Sequence, residues 1–534
     1  MDNIGSSTQK VKDNFDVNLI HYMLSYLDLR LPWQRRLWSF GSIAVLEDLI
    51  SSIEYQNNSI IDTNSIKSLR QDVVKILKND KILEYSGLKN AALTSVTCSN
   101  RFDKEKDEIY YNSVEFYKIV EILDTIKEAY KTSIISFLKS DDKIKFSAER
   151  ISKNIISYFI ETGYSKKFLF GKFRKILEDK NLKLEDEILD IIENNKEIEH
   201  EALICFSSLS LSSSEIEKIE HFYTSKKAAE WLKANNFFNV RQHGGLLFKI
   251  KSKDENSLLS NISEIFDRIN SRISIGSKIK ASLIDEAFIK GFKNPLKIKK
   301  ENRDIKIHSF SKRSKLFPTS NLMETKLDHV IELLNVLDKS NPGAATASGW
   351  SAIESLLISK GDSKILAANR ISAIICCSYL RAELTTLSYS LEKKDLPQNF
   401  NELSNVEKSR HCLTRLKNHQ TNFKNYNDEI GKNRVLTFIN NPKKFIEEIK
   451  FNASYAFKAF YRQRNIVVHG GKSHGILMTN VLNVISPLVS AAFDRIIHAY
   501  EEGTEPLEIV AKAETGLMFV EENKEIDFLT ILHS

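Results

Sequence analysis

Apolar residues recur at three- and four-residue steps over most of the first 195 positions. In VNLIHYMLSYLDL, Leu19, Met23, Tyr26 and Leu27 share a helical face. VEFYKIVEILDTIKEAYKTSIISFL keeps the same period for several turns. SAERISKNIISYFIETG opens on a serine before a glutamate and has Gly163 as its stop. The spacing predicts helices in all three. Near position 196 the pattern changes. EALICFSSLSL, GGLLFKIKSK, KIKASLIDEAFI and PLKIKKENRDIKIHSF read as strands, while SSSEIEKIEHF, SKKAAEWLKAN and SLLSNISEIFDRINSRI read as helices. A small α+β domain over 196–325 follows.

From about 326 the helical period returns. NPGAATASG, 341–349, is a loop or helix entry, and Trp350, Ile353, Glu354 and Leu357 lie on one face of the helix after it. Ser363–Leu391 reads as one long, largely apolar helix, KKDLPQNFNELSNVEKSRH as polar linker, and TNVLNVISPLVSAAFDRIIHAYEEG as a last helix with Pro487 as a candidate kink. The expected fold is mainly α in three parts: a helical N-terminal region (1–195), the α+β domain (196–325), and a helical C-terminal domain (326–534).

Composition supports helices: 534 residues contain only 8 Pro and 18 Gly. The 77 basic and 70 acidic residues leave +7. That fits local contact with a polyanion and excludes a surface coated in positive charge. The five cysteines form no CxxC pair and have no zinc spacing with histidines, so they read as reduced core thiols of a cytoplasmic protein. The N-terminus lacks an apolar signal core, and no membrane span is expected. No metal or cofactor is expected.

Candidate chemistry concentrates in FYRQRNIVVHGGKSHG, 460–475. Histidine serves as acid or base near neutral pH, and arginine offers forked donors to a phosphodiester carrying negative charge. Arg464 and His469 could thus cleave RNA without metal, with the neighbouring 2′-hydroxyl as nucleophile. Spacing alone is weak, since Arg303 and His308 also match it within a predicted strand. Five residues along a helix rotate by about 140°, so Arg464 and His469 do not share a face. A site would need a long arginine reaching round, a distorted helix end, or a second chain. The plain alternative is a histidine facing the terminal carbonyls of a packed helix. The run GGKS is no phosphate loop, because Ile466 occupies the position of the required first glycine.

YRQRNIVVHGG resembles the Arg-Asn-x-x-x-His signature of the HEPN superfamily, specifically its Apea-like branch. GWSAIESLLISKGDSKILAANRISAIIC is similar to that family's first two helices, so the likeness covers roughly 330–505. An insert at about 392–445 departs from a compact domain. The resemblance implies a four-to-five-helix bundle, often a metal-independent ribonuclease in which two motifs meet across a dimer. It implies His469 as acid/base, Arg464 as phosphate stabiliser, Asn465 as the orienting polar residue and Glu354 as a carboxylate holding Arg464. Glu354 is equally readable as a solvated helix residue, and Arg462 as an RNA contact or as surface charge.

The most basic stretch is 290–315. Lys297, Lys299, Lys300 and Arg303 within it could bind RNA, or they could protect a solvated edge strand. DLRLPWQRRLWSF, 28–40, is expected to be an amphipathic helix packing its tryptophans. The expected function is an RNA endonuclease, a hydrolase of toxin or abortive-infection type in antiviral defence. It would be a homodimer or larger oligomer answering a phage or host trigger, with N-terminal regions that sense or restrain. The rivals are a non-catalytic HEPN-like module binding nucleotides or partner proteins, and a plain helical scaffold.

Overall fold

The strand-like alternation after position 196 becomes a five-stranded antiparallel sheet: β1 (Ile198–Leu209), β2 (Phe222–Tyr223), β3 (Gly245–Ser252), β4 (Ala281–Ile289) and β5 (Leu296–Lys297), in the order β2-β3-β1-β4-β5. The computed structural model describes residues 2–97, 108–179, 182–194, 196–211, 213–216, 218–276, 280–298, 302–312, 326–471, 475–522, 524 and 526–532. Central strand β1 is apolar on both faces because both are covered. Ala202, Ile204 and Phe206 meet Leu258, Ile262 and Phe266 of helix Glu255–Ile275. Leu203 and Cys205 meet Ala228 and Leu232 of helix Ser225–Ala234. Asp254 caps the longer helix with both halves of a capping box and also binds the Ser165 hydroxyl at 2.7 Å.

The chain is mainly α and divides into two compact units. The sheet belongs to the unit made of 162–176 and 181–301; residues 1–161, 177–180 and 302–534 form the other. The expected boundaries at 195 and 325 thus move to 161 and 302. The N-terminal helices are no separate region: they share a core with the C-terminal ones.

Three buried arginines stitch that shared core. Arg35 donates to Glu383 and Asp428, each at 2.7 Å. Arg434 donates to Glu149 and to the Tyr26 hydroxyl, each at 3.2 Å. Arg462 donates through Nε to both oxygens of Asp48, at 3.1 and 3.2 Å. Every pair joins positions 285 or more apart in sequence. Burial opposes ionisation of Glu149, but Lys153, Arg434 and the Tyr26 hydroxyl outweigh it and hold the carboxyl at about 2. A buried cation separated from its carboxylate costs several kcal/mol, about 3–5, so the two halves of this unit are interdependent.

Other expectations change. The segment 28–40 holds only one short helical turn, Trp33–Arg35, because Pro32 precedes it. Its tryptophans do pack, both against Tyr379. The predicted strand through 303–308 is absent: β5 ends at Lys297, and 302–307 runs as irregular chain in the other unit. The expected linker and insert contain two helices, Asn405–Lys417 with a Ser404/Glu407 capping box, and Tyr426–Asn440. The second carries Asp428 and Arg434. Gly431 is required there, since a Cβ would stand 2.8 Å from Arg35 Nη2 and closer still to Glu383. Helix Ile476–Glu501 runs uncharged from Ile476 to Phe493 and is long and apolar enough to cross a membrane, which the sequence reading did not expect. It packs within the bundle, Val481, Ile485, Leu488, Val489 and Phe493 being buried. No second such helix occurs among the described residues. Cys205, Cys376, Cys377 and Cys412 are free and buried, and burial pushes Cys205, Cys377 and Cys412 up to about 12; Cys98 lies outside the described residues.

Candidate functional site

The motif Arg464-to-His469 lies at the end of helix Pro442–Gly470. Asn441 starts this helix by accepting from the Lys444 amide, with Pro442 in its first turn. It runs unbroken to Gly470, and Gly471 stops it in the left-handed conformation at φ 69°. Gly470 is small for another reason: a Cβ would stand 2.5 Å from the Tyr55 ring.

One stripe of this helix is occupied by the N-terminal helices. Lys75 sits 4.0 Å from the centre of the Phe451 ring. Tyr455 donates its hydroxyl to Asp48 at 3.0 Å. Lys458 pairs with Asp72 at 3.4 Å, and Arg462 is locked to Asp48. Positions 451, 455, 458 and 462 lie within about 60° of one another. His469, seven residues after Arg462, continues that stripe past the last contact and is exposed.

Arg464 faces another way. Its Nη2 is 4.0 Å from Glu354 Oε2, and its Nη1 donates to Asn465 Oδ1 at 3.1 Å. Its Nε is buried with no hydrogen-bond partner. The arginine side chain is 14% exposed, so its guanidinium is held and yet keeps donor capacity. Glu354 is itself fixed: Trp350, fully buried against Phe460 and Tyr461, donates its indole N–H to Glu354 Oε1 at 2.7 Å. Gly349 lets the helix Pro342–Leu357 approach this closely, a Cβ there meeting Leu337 and Phe460 at 3.0 Å. Glu354 and Asn465 therefore gather round Arg464, whereas His469 stands apart. The helix end is regular, and Arg464 is turned to Glu354 rather than round towards His469.

Two expected RNA contacts are otherwise engaged. Arg462 is only 1% exposed and spends its guanidinium on Asp48, so it is neither surface charge nor a phosphate contact. Arg303 caps helix Lys326–Lys339, donating through Nη1 to the carbonyls of Leu337 and Ser340 at 2.8 Å each. Lys297 is exposed on edge strand β5 opposite Glu286, which matches the edge-protecting reading. Lys299 and Lys300 lie outside the described residues, as do Lys472 and Ser473.

Sequence reasoning missed Asp48, Tyr55, Trp350 as the donor to Glu354, and the buried Gln463, whose Nε2 also lacks a partner. One signal was available for Asp48. It sits on the apolar face of SIAVLEDLISSI, where a carboxylate requires a buried counter-charge. Comparison with protein-family models, curated proteins and solved structures finds no match to this chain.

Proposed function

We propose that the chain is a metal-independent RNA endonuclease of HEPN type. It would act in the cytoplasm as a regulated toxin or abortive-infection effector, with a site assembled from two copies. The observation that carries this reading is the state of Arg464: braced by Glu354 and Asn465, with donor capacity left over, on the same unbroken helix as an exposed His469. Within one chain the offset of about 140° and the engagement of Arg464 separate the two side chains. A second chain bringing its own helix end alongside supplies the missing group to each. Val468, 47% exposed beside His469, adds apolar contact area at that end.

In this arrangement His469 of one chain takes the proton of the ribose 2′-hydroxyl. The 2′-oxygen attacks phosphorus, the bond to the 5′-oxygen breaks, and a proton is returned to that oxygen. The products are a 2′,3′-cyclic phosphate and a 5′-hydroxyl. Arg464 of the other chain holds the non-bridging oxygens, whose negative charge grows in the transition state. Because Arg462, Tyr455 and Lys458 clasp the N-terminal helices along the stripe that ends in His469, those helices bear on how closely a second chain approaches.

The test uses labelled RNA, the full chain, and His469→Ala and Arg464→Ala variants. Each variant alone is expected to be folded and inactive. Mixing and re-equilibrating the two should restore about a quarter of the wild-type rate, because half the dimers are mixed and each has one complete site. Activity should persist in EDTA. Cleavage by His469→Ala, strict metal dependence, or no recovery from verified mixed dimers would overturn the mechanism.

A further inference from the structure

A cleft of about 900 Å³ opens in the larger unit, away from Arg464 and His469. Residues 30–36, residues 304–308, the helices Leu366–Tyr389 and Ile476–Glu501, and the C-terminal stretch 528–532 form its walls. Its volume falls within the range of small-molecule sites, about 300–1,000 Å³.

The charge on its walls is uneven. Arg30, Arg36, Lys306, Arg381 and Arg495 face only Asp304 and Asp494, five cations against two carboxylates. One of those carboxylates is committed elsewhere. Asp494 accepts from the Ser309 amide and hydroxyl at 2.8 Å each, fixing the chain after His308. Asp304 pairs with Lys306 at 2.6 Å. Arg36 uses its Nε on the Leu31 carbonyl, at 2.6 Å. Arg381 and Arg495, on different helices, come close enough to repel. Burial first, and then Arg495, lower Arg381 to about 10, with Glu502 opposing. Burial lowers Arg495 too, against Asp494 and Glu502. Two arginines forced together inside a concave wall are a standing cost that a bound anion would relieve.

The rest of the wall suits an aromatic group. Trp33 and Phe528 contribute rings, and Tyr389 is 61% exposed, its ring set edge-on to Phe400. Thr385, Ser390 and Asn405 offer hydroxyl and amide groups between the rings and the arginines. We propose that this cleft binds a nucleotide, its phosphates between Arg36, Arg381 and Arg495 and its base against Tyr389 and Trp33. The inference stands independently of the ribonuclease reading, since none of these residues belongs to that site.

Calorimetry on the full chain at low ionic strength tests it, with the four nucleoside triphosphates separately, adenosine, inorganic tripolyphosphate and a short RNA as probes. At least one triphosphate should bind once per chain, about tenfold or more tighter than adenosine or tripolyphosphate. Arg381→Gln and Arg495→Gln should each weaken it about tenfold. Tyr389→Ala alters an exposed side chain and keeps the test valid should an arginine variant fail to fold; it should weaken triphosphate binding and leave tripolyphosphate unchanged. The proposal fails if no triphosphate binds below millimolar concentration. It also fails if tripolyphosphate binds as tightly, if the RNA binds more tightly through the same residues, or if the folded variants bind like wild type.

Discussion

Replacing Asp48 by alanine should destabilise the larger unit severely, although Asp48 lies far in sequence from the motif it supports. Asp48 and Arg462 are each 1% exposed. Asp48 takes Nε contacts from Arg462 at 3.1 and 3.2 Å, a further Nη2 donation, and the Tyr455 hydroxyl at 3.0 Å. Its removal strands a buried guanidinium, which costs about 3–5 kcal/mol. Tyr455 loses its acceptor as well, adding about 1 kcal/mol. Arg462→Met should cost a similar amount by stranding the carboxylate. The double variant should be more stable than either single one, because no uncompensated charge remains. Urea unfolding followed by tryptophan fluorescence is suitable, since Trp33, Trp38 and Trp350 all lie in this unit. An Asp48→Ala loss below about 1 kcal/mol, the scale of a surface pair, would refute the reasoning. So would an Arg462 variant of normal stability that loses only RNA binding, which would restore Arg462 as a phosphate contact.

Glu354→Gln should leave the fold intact and lower RNA cleavage about tenfold, since Arg464 loses its charged brace while the indole of Trp350 keeps an acceptor; an unchanged rate would make Glu354 a bystander. Glu149, held at about 2 against an ordinary 4.5, contributes stability that is present above pH 4.5 and lost as pH falls towards 2. Its side chain is 27% exposed, so the contribution is about 2–3 kcal/mol, and urea midpoints of Glu149→Gln should show a correspondingly shallower acid slope than wild type. Gly431→Ala and Gly171→Ala, both within helices, should shift urea midpoints in opposite directions. The first forces a methyl into the Arg35–Glu383 pair and destabilises by about 2 kcal/mol or more, whereas the second meets nothing within 4 Å and stabilises by about 1 kcal/mol.

The long periodic helices and strands β1, β3 and β4 were legible because their signals are local: apolar spacing, a serine or asparagine cap, a terminal glycine. The helices Asn405–Lys417 and Tyr426–Asn440 were not legible. Their polar composition suits solvent on most sides, and what buries the second is Arg35 and Tyr26 from the far end of the chain. Arg462 shows the same limit at the site. Spacing places it on the His469 stripe, yet whether that stripe meets water or Asp48 depends on a partner 414 positions away. Glu354 was readable because its partner lies within the same bundle, although the 4.0 Å separation and the Trp350 bond were not.

The larger unit is interrupted in sequence by residues 162–176 and 181–301. That interruption has a consequence for biosynthesis. Asp48 leaves the ribosome 414 residues before Arg462, a delay of about 20–80 s at ordinary elongation rates. Throughout that interval the N-terminal helices present an uncompensated carboxylate and an apolar face with nothing to cover them, which is a chaperone's substrate. The helix that bears Arg464 and His469 is among the last to emerge and completes the unit as it docks. A ribosome that stalls or a message cut short before that point yields a chain lacking its reactive motif, so only finished copies can be harmful.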